Sequence, residues 1–97
     1  MPVYVTLFKY TDQALKLAKN FKKYQEEAAK RVEKTGTKIL GFYMTMGEYD
    51  AAGITECPSD EAAVAASLAA SLDGTFKTTT LRAFTADEFE EIIGRLP

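Results

Sequence analysis

Two periodicities of hydrophobic residues along the chain predict two successive strand–helix–strand units. Runs rich in β-branched and aromatic residues, typical of strands, occupy Val3 to Tyr10, Lys38 to Met46, Tyr49 to Cys57 and Thr75 to Phe84. Apolar residues three or four positions apart predict one helix after the first run and an alanine-rich helix after the third. We therefore expect an α+β fold of order βαββαβ, a four-stranded antiparallel sheet with its helices on one face.

Capping residues predict where the helices begin and end. Thr11 or Asp12 suits the start of the first helix, Gly36 suits its end, and Asn20 is an alternative break within it. Ser59 suits the start of the second helix, whose predicted apolar stripe is Val64, Leu68 and Leu72.

A short amphipathic helix is predicted at the C-terminus. Thr85 to Glu88 has the sequence of a capping box, which marks a helix start. The apolar stripe that follows consists of Phe89, Ile92, Ile93 and Leu96. Such a helix can close the core or reach onto a neighbouring molecule.

A tight hairpin sets the predicted faces of the second and third strands. If Gly47 and Glu48 form the loop, Thr45 lies opposite Asp50. The predicted core face then consists of Leu40, Phe42, Met44, Met46, Ala51, Gly53 and Thr55. The opposite face consists of Ile39, Gly41, Tyr43, Thr45, Asp50, Ala52, Ile54 and Glu56.

The sheet face without helices is predicted to be too apolar for solvent. Ile39, Tyr43 and Ile54 are predicted to lie on this face. The first strand likewise has apolar residues on both of its sides. Large exposed apolar patches mark interaction sites, and a second copy of the same chain is the commonest cover. We expect a homodimer or a higher homo-oligomer, with the polar fourth strand at an edge of the sheet.

Composition excludes several classes of function. The 97 residues suit one domain, and they include no histidine and a single cysteine, Cys57. This excludes Ser-His and Cys-His nucleophiles, histidine-ligated haem, and zinc sites built on histidine or several cysteines. No glycine pattern of a P-loop or dinucleotide site occurs, so we expect no cofactor and no metal. A lone cysteine, without a membrane-length apolar run or a signal peptide, favours a bacterial cytoplasmic protein.

Charge is distributed unevenly along the chain. Residues 1–38 carry nine Lys and Arg against four Asp and Glu, whereas residues 39–97 carry three against ten. A solvated helix face is the favoured interpretation of the lysines. A nucleic-acid surface is disfavoured, because the whole chain has a net charge of −2 and no recognised binding motif. Complementary charge between neighbouring subunits is a third interpretation.

The stretch Gly47-Glu48-Tyr49-Asp50 resembles the hallmark of the GYD-domain family. Gly41, Glu56-Cys57-Pro58 and Thr79 to Phe84 agree with it in order and spacing, so the similarity covers nearly the whole chain. The resemblance implies a dimeric α+β barrel, in which ferredoxin-like sheets pack face to face. It implies no established activity.

Candidate chemistry is sparse. Asp50 is a poor strand residue, so we expect it either to accept a hydrogen bond from the turn backbone, to form an intersubunit ion pair, or to act as a general base or ligand anchor. In the last case it would lie beside Tyr43 and Glu56 on the same predicted face. The candidate catalytic residues are Tyr49 and Asp50. The candidate ligand-binding residues are Tyr43, Asp50, Glu56 and Arg82. Asp50 and Glu56 lie about 20 Å apart along an extended strand, which excludes a glycosidase-like carboxylate pair within one subunit. Arg82 suits an anionic ligand, although an intersubunit salt bridge is the commoner role.

Three functions compete on this evidence. The favoured hypothesis is a small homo-oligomeric ligand-binding or assembly module with an apolar cavity. The second, implied by the family resemblance, is a cofactor-independent monooxygenase-like or isomerase-like enzyme acting on a small hydrophobic substrate. The third is a regulatory or nucleic-acid-binding module that uses the lysines of the first helix.

Overall fold

The computed structural model describes residues 1–97 and confirms the ferredoxin-like α+β fold. The strands are β1 (Val3–Tyr10), β2 (Lys38–Met44), β3 (Ala51–Glu56) and β4 (Phe76–Ala83). The helices are α1 (Asp12–Lys16), α2 (Phe21–Glu33), α3 (Asp60–Ala70) and α4 (Ala86–Ile93), with a 3₁₀ turn at Ala18–Asn20. The strands form one antiparallel sheet of order β2-β3-β1-β4, so β4 lies at an edge as predicted.

Side-chain caps begin the helices at the predicted residues. The Thr11 hydroxyl accepts a hydrogen bond from the Ala14 N–H at 3.3 Å, and the Ser59 hydroxyl accepts one from the Ala62 N–H at 3.2 Å. Thr85 and Glu88 form the reciprocal capping box of α4. The first helical segment is broken before Phe21, which confirms the alternative that placed a break at Asn20.

The core lies between the helices and one face of the sheet. Phe8 on β1 is central, with its ring centroid 5.4 Å from that of Phe42 and 5.3 Å from that of Phe76, both edge-on. Small residues of the helices allow close approach, and the buried cluster is Phe8, Ala28, Val32, Ala51, Ala66, Ala70 and Phe76. A second cluster of Tyr4, Cys57 and Ala63 lies toward the other end of β1.

A β-bulge in β2 places Ile39 and Leu40 on the faces opposite to those predicted. Ile39 pairs with Thr55 and Gly41 pairs with Ile54, which leaves Leu40 as the additional residue between them. One extra residue reverses the alternation on its N-terminal side. Ile39 therefore packs against the core, whereas Leu40 is exposed, so the prediction that placed Leu40 inside and Ile39 outside is wrong.

The hairpin keeps the predicted register but has a longer loop. Thr45 donates its N–H to the Asp50 carbonyl at 2.9 Å, and the four residues from Met46 to Tyr49 follow without a backbone hydrogen bond between them. Gly47 has φ +110°, which favours glycine there. Met46 is 97% exposed, so its predicted place on the core face is wrong.

The predicted apolar stripe of α3 points away from the sheet. The buried side of this helix consists of Ala63, Ala66 and Ala70, and the exposed side carries Val64, Leu68 and Leu72. The helix is apolar on all sides, and alanine permits the closest approach to the phenylalanines of the sheet. Packing distance, rather than side-chain hydrophobicity, therefore selects the inner face. No helix of the fold combines the length and apolar character needed to cross a bilayer.

Candidate functional site

The sheet has two faces of different character. The helix-side face includes Tyr4, Phe8, Phe42 and Phe76. The opposite face, called the open face below, is Val3, Val5, Leu7, Gly41, Tyr43, Ala52, Ile54, Glu56, Thr79 and Leu81 by strand register. No helix is packed against the open face within the chain.

Tyr43 lies on the open face, where Gly41 makes room for it. A Cβ atom at position 41 would lie 3.0 Å from the Tyr43 ring, so a larger residue there would push the ring from this position along β2. Tyr43 pairs with Ala52 on β3 and is mostly exposed. Its ring thus extends the apolar surface of the open face.

Asp50 is held by the end of β1. Its Oδ2 accepts the Tyr10 N–H at 2.9 Å, and its own N–H donates to the Phe8 carbonyl at 2.8 Å. The side chain replaces a missing backbone acceptor at the end of the ladder, which explains an aspartate beside a strand. Burial, together with this carboxylate, raises the pKa of Tyr10.

Tyr49 is the other candidate from the hairpin. Its carbonyl accepts the Thr45 hydroxyl at 2.6 Å, and Lys9 Nζ lies 5.4 Å from its ring centroid. The tyrosine therefore packs beside a cation at the hairpin end of the sheet.

Glu56 and Arg82 lie away from the hairpin. Glu56 is at the opposite end of β3, paired with Lys38 and Val3, so it is separated from Asp50 by the length of the strand. Arg82 lies opposite Tyr4 on the helix-side face. The structure thus does not bring Tyr43, Asp50, Glu56 and Arg82 together into one site.

The Arg82 guanidinium has partners within the chain. It lies 4.6 Å from the Phe84 ring centroid and 5.7 Å from that of Tyr4, and its Nη2 is 3.4 Å from Glu88 Oε2. It also donates to the Ala83 carbonyl. The Thr85 N–H, assisted by Arg82, lowers the pKa of Glu88. These contacts connect β4 to α4 and leave Arg82 without an open approach to the cleft described next.

A cleft between the sheet and the helices is the most enclosed candidate site. It consists of two adjoining cavities of about 150 and 60 Å³, which share Phe8, Ile39, Phe42 and Ala70. No Asp, Glu, Lys or Arg lines either cavity. The larger cavity is apolar except for Gln25, and the lining of the smaller includes five hydroxyl-bearing residues: Tyr4, Thr6, Thr55, Ser67 and Thr80.

The hydroxyl end of the cleft is already ordered by hydrogen bonds. Tyr4 donates to Asp60 Oδ1 at 2.5 Å, and Ser67 and Thr80 share a hydrogen bond of 2.6 Å. The Asp60 hydrogen bond, with burial and the charge of that carboxylate, raises the pKa of Tyr4 to about 12. Tyr4 is thus neutral at physiological pH and contributes a fixed dipole rather than a titrating base.

This cleft was not located from the sequence. The sequence did predict that Gly53 lies on the core face, and a Cβ atom there would lie 3.4 Å from the Phe8 ring and 3.5 Å from the Phe42 ring. The small residues beneath α2 and α3 are the sequence feature that could have located the space. No three Cys, Asp or Glu side chains lie close enough together to hold a metal ion.

Comparison with known proteins adds one match. A family model, GYD domain, matches residues 4–93 and so spans all four strands. No curated protein is significantly similar to the chain.

Proposed function

The chain belongs to the GYD-domain family, and from that premise we propose that it is a homo-oligomeric module that binds a small, uncharged, apolar molecule. Two copies associate through their open faces. The ligand occupies the cleft between the helices and the sheet of each copy. The lining of that cleft, apolar and without a charged side chain, is the observation that carries the proposal.

The exposed area supports self-association. The chain exposes 6640 Å², whereas a folded monomer of 10.7 kDa exposes about 5,500 Å² by the usual scaling. Ile54, Leu81 and Tyr43 contribute to the excess from the open face. A flat apolar sheet face of this kind is covered most simply by a two-fold contact with itself.

The chemistry of the cleft supports a neutral ligand. Burying an ion there would leave its charge unpaired, which is costly, whereas an apolar body fits against Phe8, Phe42 and Phe76. The hydroxyl end suits one carbonyl or hydroxyl group of the ligand. Arg82, the earlier candidate for an anion, is engaged with Phe84 and Glu88 instead.

Enzymatic activity on a small hydrophobic substrate stays a prediction. Binding is favoured over catalysis because the Asp50 carboxylate is engaged by the Tyr10 N–H and does not line the cleft. The proposed location is the cytoplasm, since Cys57 is a buried free thiol, as a reducing compartment permits. Bacterial origin stays a prediction.

Binding of a neutral fluorescent probe, N-phenyl-1-naphthylamine, tests the ligand proposal. Ala29 lines the larger cavity, so Ala29→Leu should fill it and reduce probe affinity roughly tenfold or more. Ala65→Leu makes the same change on an exposed position of α3 and should bind like the wild type. Equal probe binding by both variants, with both folded by circular dichroism, would refute the cleft as the site.

A further inference from the structure

Helix α4 is an amphipathic arm with no buried residue. Its apolar stripe of Phe89, Ile92, Ile93 and the following Leu96 is exposed throughout. The arm is tied to the rest of the chain at its first turn by the ion pair between Arg82 and Glu88. An amphipathic helix whose apolar side stays this exposed is incomplete without a partner surface.

The arm also carries acidic residues that its own helix does not require. Asp87 and Glu88 lie in the first turn, where they favour the helix dipole. Glu90 and Glu91 lie beyond that turn, are exposed and form no salt bridge in the chain. By helical spacing Glu90 borders the apolar stripe and Glu91 lies on the far side of the helix. The arm therefore combines an apolar stripe with unpaired negative charge.

An apolar groove of opposite charge lies at α1 and α2. It has a volume of about 130 Å³ and is lined by Tyr10, Ala14, Leu15, Leu17, Ala18, Phe21, Tyr24, Gln25, Thr75 and Phe76. Leu15 is 64% exposed at its rim. Lys16, Lys19, Lys22 and Lys23 are adjacent in sequence to lining residues, and all four are exposed and free of salt bridges.

The arm cannot lay its apolar stripe in the groove of its own chain, and no residue of the arm lines that groove. It leaves the sheet at Ala83, which pairs with Val3, whereas the groove includes Tyr10 at the other end of β1. Seven residues of strand span roughly 23 Å. Residues 86–97 would extend about 18 Å if they were all helical, and the two residues that connect them to β4 add about 7 Å. At full extension only the tip of the arm, and not its apolar stripe, would come to the groove.

The other apolar surfaces fit the arm less well. The outer side of α3 begins beside Asp60 and Glu61, so it would repel an acidic helix. The open face extends over all four strands, which suits another sheet rather than a single helix. The lysine-bordered groove is the surface that complements the arm in both hydrophobicity and charge.

We infer that α4 of one copy docks its apolar stripe in the α1–α2 groove of a second copy, with Glu90 beside the lysines of the rim and Glu91 adding to the negative charge of the arm. Arm and groove lie at opposite ends of β1, so the contact is head-to-tail. A contact of this kind either closes into a ring or continues as a filament. It would join open-face dimers into a larger assembly.

Charge exchange between two variants tests this contact. Glu90→Lys with Glu91→Lys reverses the arm, and Lys16→Glu with Lys23→Glu reverses the groove. Each variant alone should lose the species larger than the dimer in sedimentation velocity at low salt, since like charges then meet. An equimolar mixture should recover it, because each arm finds a groove of opposite charge. Lys30→Glu with Lys34→Glu, the same charge change farther along α2, is the control and should assemble like the wild type.

Several results would overturn the proposed contact between the arm and the groove. Wild-type protein that never exceeds a dimer would overturn it, as would variants that assemble normally alone or fail to recover when mixed. A second readout does not depend on charge. Leu15→Cys and Ile93→Cys chains, mixed and oxidised, should form a disulfide between them, and Cys57 is too buried to compete. Absence of that mixed disulfide would count against the contact.

Discussion

The two faces of β1 show how one strand serves two environments. Tyr4 and Phe8 point toward the helices and are at most 8% exposed, whereas Val3, Val5 and Leu7 on the open face are only partly buried. Both faces are apolar, yet the chain covers only one of them. The difference teaches that the helix-side face stabilises the single chain and that the open face is available for assembly.

Removal of the central core ring should have the largest effect. Phe8→Ala should destabilise the folded chain by roughly 3–5 kcal/mol, because it deletes contacts with Phe42 and Phe76 beside an existing cavity. Urea unfolding measures the change. Leu81→Ala is the matched variant on the open face, and its cost should be small for dilute protein and grow with concentration as copies associate. If both variants lost the same free energy of unfolding at every protein concentration, the two faces would not differ in the way described.

A charge at the centre of the open face should act mainly on assembly. Val5 pairs with Ile54 and Leu81, so Val5→Asp would bury a carboxylate between two sheets. Self-association should weaken roughly a hundredfold, or about 2.7 kcal/mol, in sedimentation equilibrium. Val64→Asp makes the same change on the outer side of α3 and should leave the open-face dimer intact. The reverse result would move the interface from the sheet to α3.

The end of the sheet should respond more weakly. Asp50→Ala removes the acceptor of the Tyr10 N–H and should lower the free energy of unfolding by about 1 kcal/mol. Glu56→Ala, at the other end of β3, removes a carboxylate without a side-chain hydrogen bond and should change it by less than about 0.5 kcal/mol. Chemical unfolding of both variants provides the comparison. A larger loss from Glu56→Ala would place an unrecognised contact on the open face.

The smallest effect at neutral pH concerns Tyr4. Its pKa is raised from 10.0 to about 12 in the fold, so the folded chain holds this proton more tightly than the unfolded chain does. The resulting stability is complete below pH 10 and is lost as the pH rises through 12. Tyr4→Phe should flatten this part of the stability–pH curve, measured by urea unfolding between pH 9 and 12. An unchanged slope would mean that the Asp60 hydrogen bond does not control the phenol.

The sequence was sufficient for the fold because its periodicities are local. Strand composition, helix caps and the turn at Gly47 each depend on neighbouring residues, and the elements appear where they were predicted. The bulge at Leu40 was missed because one extra residue in a uniformly apolar strand leaves no compositional mark. The inner side of α3 was mispredicted because Leu68 is more hydrophobic than Ala66, although only alanine fits against the sheet.

The candidate site was less predictable because its contacts join distant parts of the chain. The partner of Asp50 is Tyr10, forty residues earlier, and no local pattern connects them. The sequence suggests Arg82 as the binding partner of an anionic ligand. Once α4 forms, however, its guanidinium group contacts Phe84 and Glu88. The cleft arises from the spacing of whole helices above the sheet, which a linear pattern does not encode.

The burial of Cys57 makes its reactivity a measure of local opening in the native protein. This sole thiol is 1% exposed between β3 and α3, with its Sγ 3.4 Å from the Thr37 hydroxyl. A thiol reagent can modify Cys57 only when the segment between β3 and α3 opens. The labelling rate therefore reports how often the native chain opens locally there. A ligand or a neighbouring copy that slows this opening would lower the labelling rate. Its binding could then be measured without attaching a dye or introducing a foreign residue.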